Sequence, residues 1–301
     1  EEAVRMLKNV KKVRIISHYD SDGIFSAAIL SKCLYRNGIG FHISLGKGLD
    51  EAIIEQVNKE RNTAVIICDI GSGEIEMVEK LKSKVLVLDH HQTRKESPQV
   101  MQINPHLFEM NGADVLCASL LCFLLAITMD KENWDLVHLA LAGGIGDKQH
   151  LGGFKGANAK ILDEAVEKGE VRVERGLLLQ GRLKDVIVSS IEPYFSMDEE
   201  DLTKLLSELS IDPSIRIEEL GQEERGLLTS ILTLKLIEQG ARSEAIENLI
   251  GDIYWAEKMK MSVNSLADDV NACGRLREEV LGLELCYGAV SYTHLRAHET
   301  G

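Results

Sequence analysis

Residues Thr63–Ile70 read TAVIICDI: an unbroken apolar run from Ala64 to Cys68, then an acid, then Gly71-Ser72-Gly73. A strand with one wet face alternates apolar and polar residues. A continuous run of this length suits a strand covered on both faces, as in a parallel sheet between helical layers. The flanking sequence repeats the pattern. VRIIS (Val13–Ser17), FHISL (Phe41–Leu45), KVLVLDH (Lys84–His90) and QVMQINP (Gln99–Pro105) read as further strands. Between them, GIFSAAILSKCLYRNG (Gly23–Gly38), LDEAIIEQVNKE (Leu49–Glu60) and GEIEMVEKLKS (Gly73–Ser83) carry apolar residues at helical spacing. Strand alternating with helix predicts an α/β fold: an open parallel sheet with helices on both faces and right-handed crossovers.

The rest of the chain divides by character. Residues 1–154 form the expected sheet domain, with two more helical segments at about Ala113–Met129 and Trp134–Ala142. Residues 155–252 are charged and mostly helical by pattern, a connecting or support segment. Residues 253–290 read as the start of a second α/β domain, with NACGRLREEVLGLELCYGA (Asn271–Ala289) as a loop, a short helix and a strand. Residues 291–301, SYTHLRAHETG, lack any apolar period and read as a non-native tail.

Composition narrows the function classes. The chain has 301 residues and a formal net charge of −14, which argues against a free-standing basic nucleic-acid binder while leaving room for a local basic groove. Six scattered cysteines without a C-x-x-C pair read as free thiols of a cytoplasmic protein. The most apolar stretch, Val115–Met129, is short for a membrane span and suits a buried helix. No P-loop, G-x-G-x-x-G, H-E-x-x-H or G-x-S-x-G pattern is present, so nucleotide-triphosphate, dinucleotide, zincin and serine-hydrolase chemistry find no support.

The acids and histidines fall at strand ends. His18, Asp20 and Asp22 follow the first strand, Asp69 follows TAVIIC, and Asp89, His90 and His91 follow VLVL. The carboxyl ends of parallel strands form the crevice where such sheets bind ligands. Asp147, in GGIGDKQH, follows a helix and a glycine-rich turn and completes the set. Each acid alone also suits a helix cap or a turn. Together, carboxylates with a few imidazoles match manganese or magnesium better than structural zinc, and two such ions clamp phosphoryl-transfer chemistry. If the loop stays extended, the alternating His18, Asp20 and Asp22 point one way, and Gly23 then turns the chain into the helix.

HYDSDG, CDIGSG, LDHHQ and GDKQH, in that order, resemble the four motifs of the DHH phosphoesterase superfamily. INPHLFEMNGAD, VERGLLLQGR and NACGR are similar to stretches of its archaeal RecJ-like exonucleases. The resemblance implies a metal-dependent phosphodiesterase that hydrolyses single-stranded DNA or RNA to nucleoside monophosphates through a water activated by two divalent ions, manganese preferred. It implies that His18 and Asp20 hold one ion, that Asp22, His90 and Asp147 hold the other, and that Asp69 bridges them. His91 would face the scissile phosphate, Asp89 would orient the histidines, and Arg275 in NACGR would grip a substrate phosphate. His106 follows a strand near the crevice and also reads as part of a turn around Pro105. His150, three residues after Asp147, is a further candidate for a phosphate contact. A replication-complex protein of the GINS type is the implied partner, and no membrane is involved. Two alternatives stay open: a DHH hydrolase of small substrates, such as oligoribonucleotides, bis-phosphate nucleotides or cyclic dinucleotides, and a non-catalytic replication-complex subunit.

Overall fold

The computed structural model describes residues 1–60, 64–93 and 95–288, and these divide into two compact units. The first comprises Glu1–His150, Phe154–Arg172 and the chain from Ala256 onward. It runs α1 (Glu2–Leu7), β1 (Lys12–His18), α2 (Ser21–Arg36), β2 (Gly40–Gly46), α3 (Glu51–Lys59), β3 (Ala64–Cys68), α4 (Ile75–Val78), β4 (Lys84–Leu88) and β5 (Met101–Ile103). Then come α5 (Gly112–Val115), α6 (Ala118–Met129), α7 (Val137–Gly146) and α8 (Gly156–Glu167).

The sheet order is β2-β1-β3-β4-β5, with every neighbouring pair parallel. Strand order reverses between β1 and β3, so the crevice for a ligand opens at the carboxyl ends of those two strands. Every residue of β3 is buried, as its apolar run requires. Alternate strand residues face opposite layers. Ile16, Val65, Ile67, Val85 and Val87 pack with Ile54 and Val57 of α3 and Val78 of α4. On the other side α2 lies on β1, and α6 reaches β3 and β4. Helices α2, α6 and α7 pack on one another, which explains why α6 and α7 are apolar nearly all round. Arg14, buried on β1, reaches Glu60 at 2.9 Å and also holds Ser44 and His42 of β2, tying the edge strand in register.

The second unit comprises Leu151–Gly153 and Val173–Trp255. It contains most of β6 (Val171–Leu177), α9 (Leu183–Ser189), α10 (Glu199–Glu208), α11 (Gln222–Glu238), α12 (Ser243–Glu247) and most of β7 (Ile250–Ala256). Leu183, Phe195, Leu202, Leu206, Leu228 and Leu232 belong to its own apolar core.

Beyond it lie β8 (Met261–Ser262), α13 (Val263–Leu276) and α14 (Glu279–Tyr287). Here the structure departs from the sequence expectation. NACGR lies inside α13 and ELCY inside α14, with no strand among the described residues of this stretch. These residues also group with the first unit, so the compact units do not follow a boundary at residue 253. The reason is a helical apolar face: Gly282, Leu285 and Cys286 are buried, and Gly282 sits against Ile24 of α2 and Cys273 of α13. The expected tail, 291–301, lies outside the described residues. Among the described residues no helix is long and apolar enough to cross a membrane, and all six cysteines are free and buried.

Candidate metal centre

The motif at the end of β1 does not stay extended. Asp20 caps α2, accepting from the Gly23 N–H at 3.1 Å, and Asp22 already lies in the first helical turn. Gly23 is needed because a Cβ there would stand 2.3 Å from the His18 carbonyl oxygen. The helical start splits the cluster. His18 and Asp20 remain at the strand end, while Asp22 turns into the interior and is fully buried. There both oxygens of Asp22 accept backbone N–H groups at the start of α6, from Ala118 at 2.8 Å and Ser119 at 2.9 Å. Glycines of α7 allow this approach: a Cβ on Gly143 would fall 2.0 Å from Ser119 Oγ and 2.4 Å from Asp22 Oδ1.

Asp69 follows β3 with φ at 61°, in the left-handed region that Asp tolerates better than most residues. Its N–H donates to the Leu88 carbonyl at 3.0 Å, and the carboxyl is almost wholly buried. Three overlapping groups of ligand-capable atoms result, each within 4.8 Å: His18, Asp20 and Asp69; Asp22, His90 and Asp147; and Asp69, His90 and His91. Asp69 and His90 each belong to two groups.

The two adjacent histidines are held differently. His90 donates from Nδ1 to the Gly112 carbonyl at 3.0 Å, which turns Nε2 toward Asp147 Oδ2 at 3.1 Å and Asp69 Oδ1 at 3.3 Å. An imidazole whose far N–H is tied to a carbonyl presents its other nitrogen as a ligand. His91 donates from Nδ1 to Asp89 Oδ1 at 2.8 Å and leaves more than half its side chain exposed. Asp89 is fixed in turn by the Ser72 N–H at 2.9 Å, and Asn104 bonds both Ser72 Oγ and the His91 carbonyl at 2.9 Å.

The electrostatics mark a cluster with surplus negative charge. Burial pushes the Asp69 carboxyl up to about 6, with Asp20 and Asp147 adding to the shift against hydrogen bonds from His18 and His90. Burial and the charges of Asp147 and Asp69 also raise Asp22. Burial lowers His90, but hydrogen bonds with Asp147 and Asp69 outweigh it and carry the ring to about 12. His18 rises to about 10 in the same way, its partners Asp20 and Asp69 overcoming burial. Asp89 is held down at about 2, because the His91, Ser72 and backbone donors outweigh its burial.

A divalent cation fits this donor set. Among the described residues, His18 Nδ1, Asp69 Oδ2, His90 Nε2 and Asp147 Oδ2 are buried with no hydrogen-bond partner outside the cluster, where carboxylate and imidazole atoms stand 2.7–3.9 Å apart. Buried polar atoms rarely go unmatched. A mixed set of carboxylate and imidazole donors is one that a divalent metal ion accepts.

The other sequence candidates are placed less tightly. Arg275 is exposed in the last turn of α13, next to Gly274, where a Cβ would stand 2.5 Å from the Tyr19 carbonyl. That brings its helix against the β1–α2 turn. His106 lies in a 3-10 turn, Pro105–Phe108, with Nε2 against Gly112. His150 belongs to none of the ligand groups and faces Phe154, its ring pushed down to about 4 by burial and then by Lys148. Sequence reasoning missed the supporting layer: the start of α6 behind Asp22, and the Gly112 carbonyl, which also accepts from Gln149 Nε2 at 3.0 Å while Asn158 holds Gln149. Gly143, Gly144 and Gly146, read from the sequence as a turn, lie inside α7 and are a sequence signal for such close packing.

Fold and site define an open parallel α/β protein with a candidate divalent-metal centre at the switch point of its sheet. Residues 12–144 match the model described as DHH family, N-terminal domain. The chain is 30% identical over 294 residues to an uncharacterized protein of Methanocaldococcus jannaschii, covering 94% of this chain and 65% of that protein. It therefore spans just under two-thirds of that relative. Its fold is similar to that of exonuclease RecJ bound to manganese, with a TM-score of 0.56 and 18% identity over 99% of this chain and 63% of the other. It is also similar to CDC45 from Entamoeba histolytica, with a TM-score of 0.68 and 14% identity over 96% of this chain and 67% of the other.

Proposed function

We propose that the protein is a metal-dependent phosphodiesterase of the RecJ type, an exonuclease that hydrolyses single-stranded DNA or RNA to nucleoside monophosphates. The observation that carries this reading is the interlocking of three ligand groups through Asp69 and His90. In this reading His18 and Asp20 would hold one ion, Asp22, His90 and Asp147 would hold a second, and Asp69 would serve both. Two divalent ions bound there, manganese preferred over magnesium, would supply charge neutralisation and an acidified water.

The chain's own residues do the rest. Asp69 and Asp147 carry the charge that makes the pocket cationophilic, and the start of α6 keeps Asp22 in place. Asp89 holds the His91 ring by Nδ1 and leaves its Nε2 edge for the strand, and in the protonated ring that N–H donates to a phosphate oxygen. The hydrogen bond that His91 donates to Asp89 raises the His91 pKa, which favours the doubly protonated, donating ring. Arg275 grips a neighbouring phosphate bidentately, and His106 and His150 make further substrate contacts. A replication-complex protein of the GINS type is the partner in this reading.

The test is digestion of end-labelled single-stranded DNA and RNA with manganese, set beside a dinucleotide. Faster hydrolysis of the long strands supports the reading. A preference for the dinucleotide would favour a small-substrate hydrolase, and metal binding without any hydrolysis would favour a non-catalytic subunit.

A further inference from the structure

Two apolar side chains stand out near the centre for being in water. Phe108 is 65% exposed and Met110 is 38% exposed, and both lie in the short loop from Asn104 to Gly112. That loop is not slack. Asn104 caps its turn by accepting from the His106 N–H at 2.9 Å, and the Met110 N–H returns to the Pro105 carbonyl at 3.1 Å. Glu109, between the two apolar residues, sits at a φ of 59°. Each end of the loop is tied to one of the paired histidines: Asn104 Nδ2 to the His91 carbonyl at 2.9 Å, and the Gly112 carbonyl to His90 Nδ1 at 3.0 Å.

A scattered surface phenylalanine needs no explanation. A phenylalanine and a methionine held out together on a loop anchored to both site histidines are a different matter, because burying them on the protein would have been the more favourable packing. Every nucleobase has an apolar face, and aromatic side chains beside a phosphate-handling groove bind bases without regard to sequence.

We propose that Phe108, flanked by Met110, is a platform on which a base of the substrate stacks while its phosphate lies at His91. This rests on the phosphodiesterase reading and sharpens it, since the substrate must then carry bases as well as phosphates. It makes inorganic polyphosphate or a bare sugar-phosphate a poor substrate.

The experiment compares an oligothymidylate with the same strand made abasic at its terminal positions at both ends, using the whole chain with manganese. Wild type should lose about tenfold in kcat/KM when the bases are removed, and Phe108→Ala should show the same low rate on both strands. Phe108→Trp should restore the discrimination. An equal penalty in wild type and Phe108→Ala overturns the platform, as does a wild type indifferent to the bases. Should wild type cleave neither strand, the phosphodiesterase reading has failed. Fluorescence anisotropy of the two strands on wild type and Phe108→Ala then decides the platform separately: tighter binding of the base-bearing strand, lost in the variant, supports it, and equal binding overturns it.

Discussion

Gly143→Ala adds a single methyl group behind Asp22, and the structure predicts a large effect. The new Cβ would stand 2.0 Å from Ser119 Oγ, 2.4 Å from Asp22 Oδ1 and 2.7 Å from Ser119 Cβ. Ordinary contact between such atoms is about 3.5 Å, so α7 must retreat by roughly 1 Å or more, or α6 and Asp22 must yield. Neither is free to do so, because Ser119 also donates to the Ala140 carbonyl at 3.0 Å and Asp22 is pinned to the start of α6. Overpacking of a filled core costs about 1–3 kcal/mol, or a fall of roughly 2–4 °C in Tm per kcal/mol. Asp147 caps α7, so the retreat also carries its carboxylate away from His90. A displacement of about 1 Å costs on the order of 100-fold in rate. Urea unfolding measures the first effect, and manganese-dependent hydrolysis of a labelled strand measures the second. A variant of wild-type stability and wild-type rate would refute the claim that close helix packing positions these two carboxylates.

Asp89→Asn should lower hydrolysis about 10–100-fold, because an amide cannot accept from both the His91 ring and the Ser72 N–H as the carboxylate does. Manganese affinity, read by isothermal titration, should stay near wild type, and a collapse of that affinity would instead make Asp89 part of the ion site. His138, on α7, gives a pH prediction independent of the metal ligands. Burial pushes its ring down from the ordinary 6.5 to about 4. Between those values the unfolded chain binds a proton that the folded chain refuses, so stability is complete above pH 6.5 and declines as pH falls toward 4. The full loss is on the order of 3 kcal/mol. Urea unfolding at several pH values should show a shallower acid decline in His138→Gln than in wild type, and identical slopes would count against the burial argument.

The sheet was legible because its strands are continuous apolar runs that only a two-sided covering explains, as in Ala64–Cys68. The ligand-capable residues were legible because each sits within a few positions of a strand or helix end, so topology alone gathers them. Their supports were not. Asp22 meets the N–H groups of Ala118 and Ser119 some hundred residues on, and His90 meets the Gly112 carbonyl across a loop. Backbone partners carry no residue signature. The extended reading of His18 to Asp22 failed because an N-cap at Asp20 lets the helix begin two residues earlier than Gly23, at Ser21. Leu285 and Cys286 looked like strand residues by composition, yet with Gly282 they follow the i, i+3, i+4 spacing of a helix face. That spacing was readable, and β-propensity obscured it.

The proposed centre is one site for two ions sharing Asp69. Counting bound manganese per chain tests it most directly, in wild type and in Asp69→Asn, a substitution that keeps the backbone's tolerance of the 61° φ. Wild type should bind two ions, and the variant should lose at least one. A wild type that binds no manganese, or a variant that keeps both ions at unchanged affinity, would contradict it.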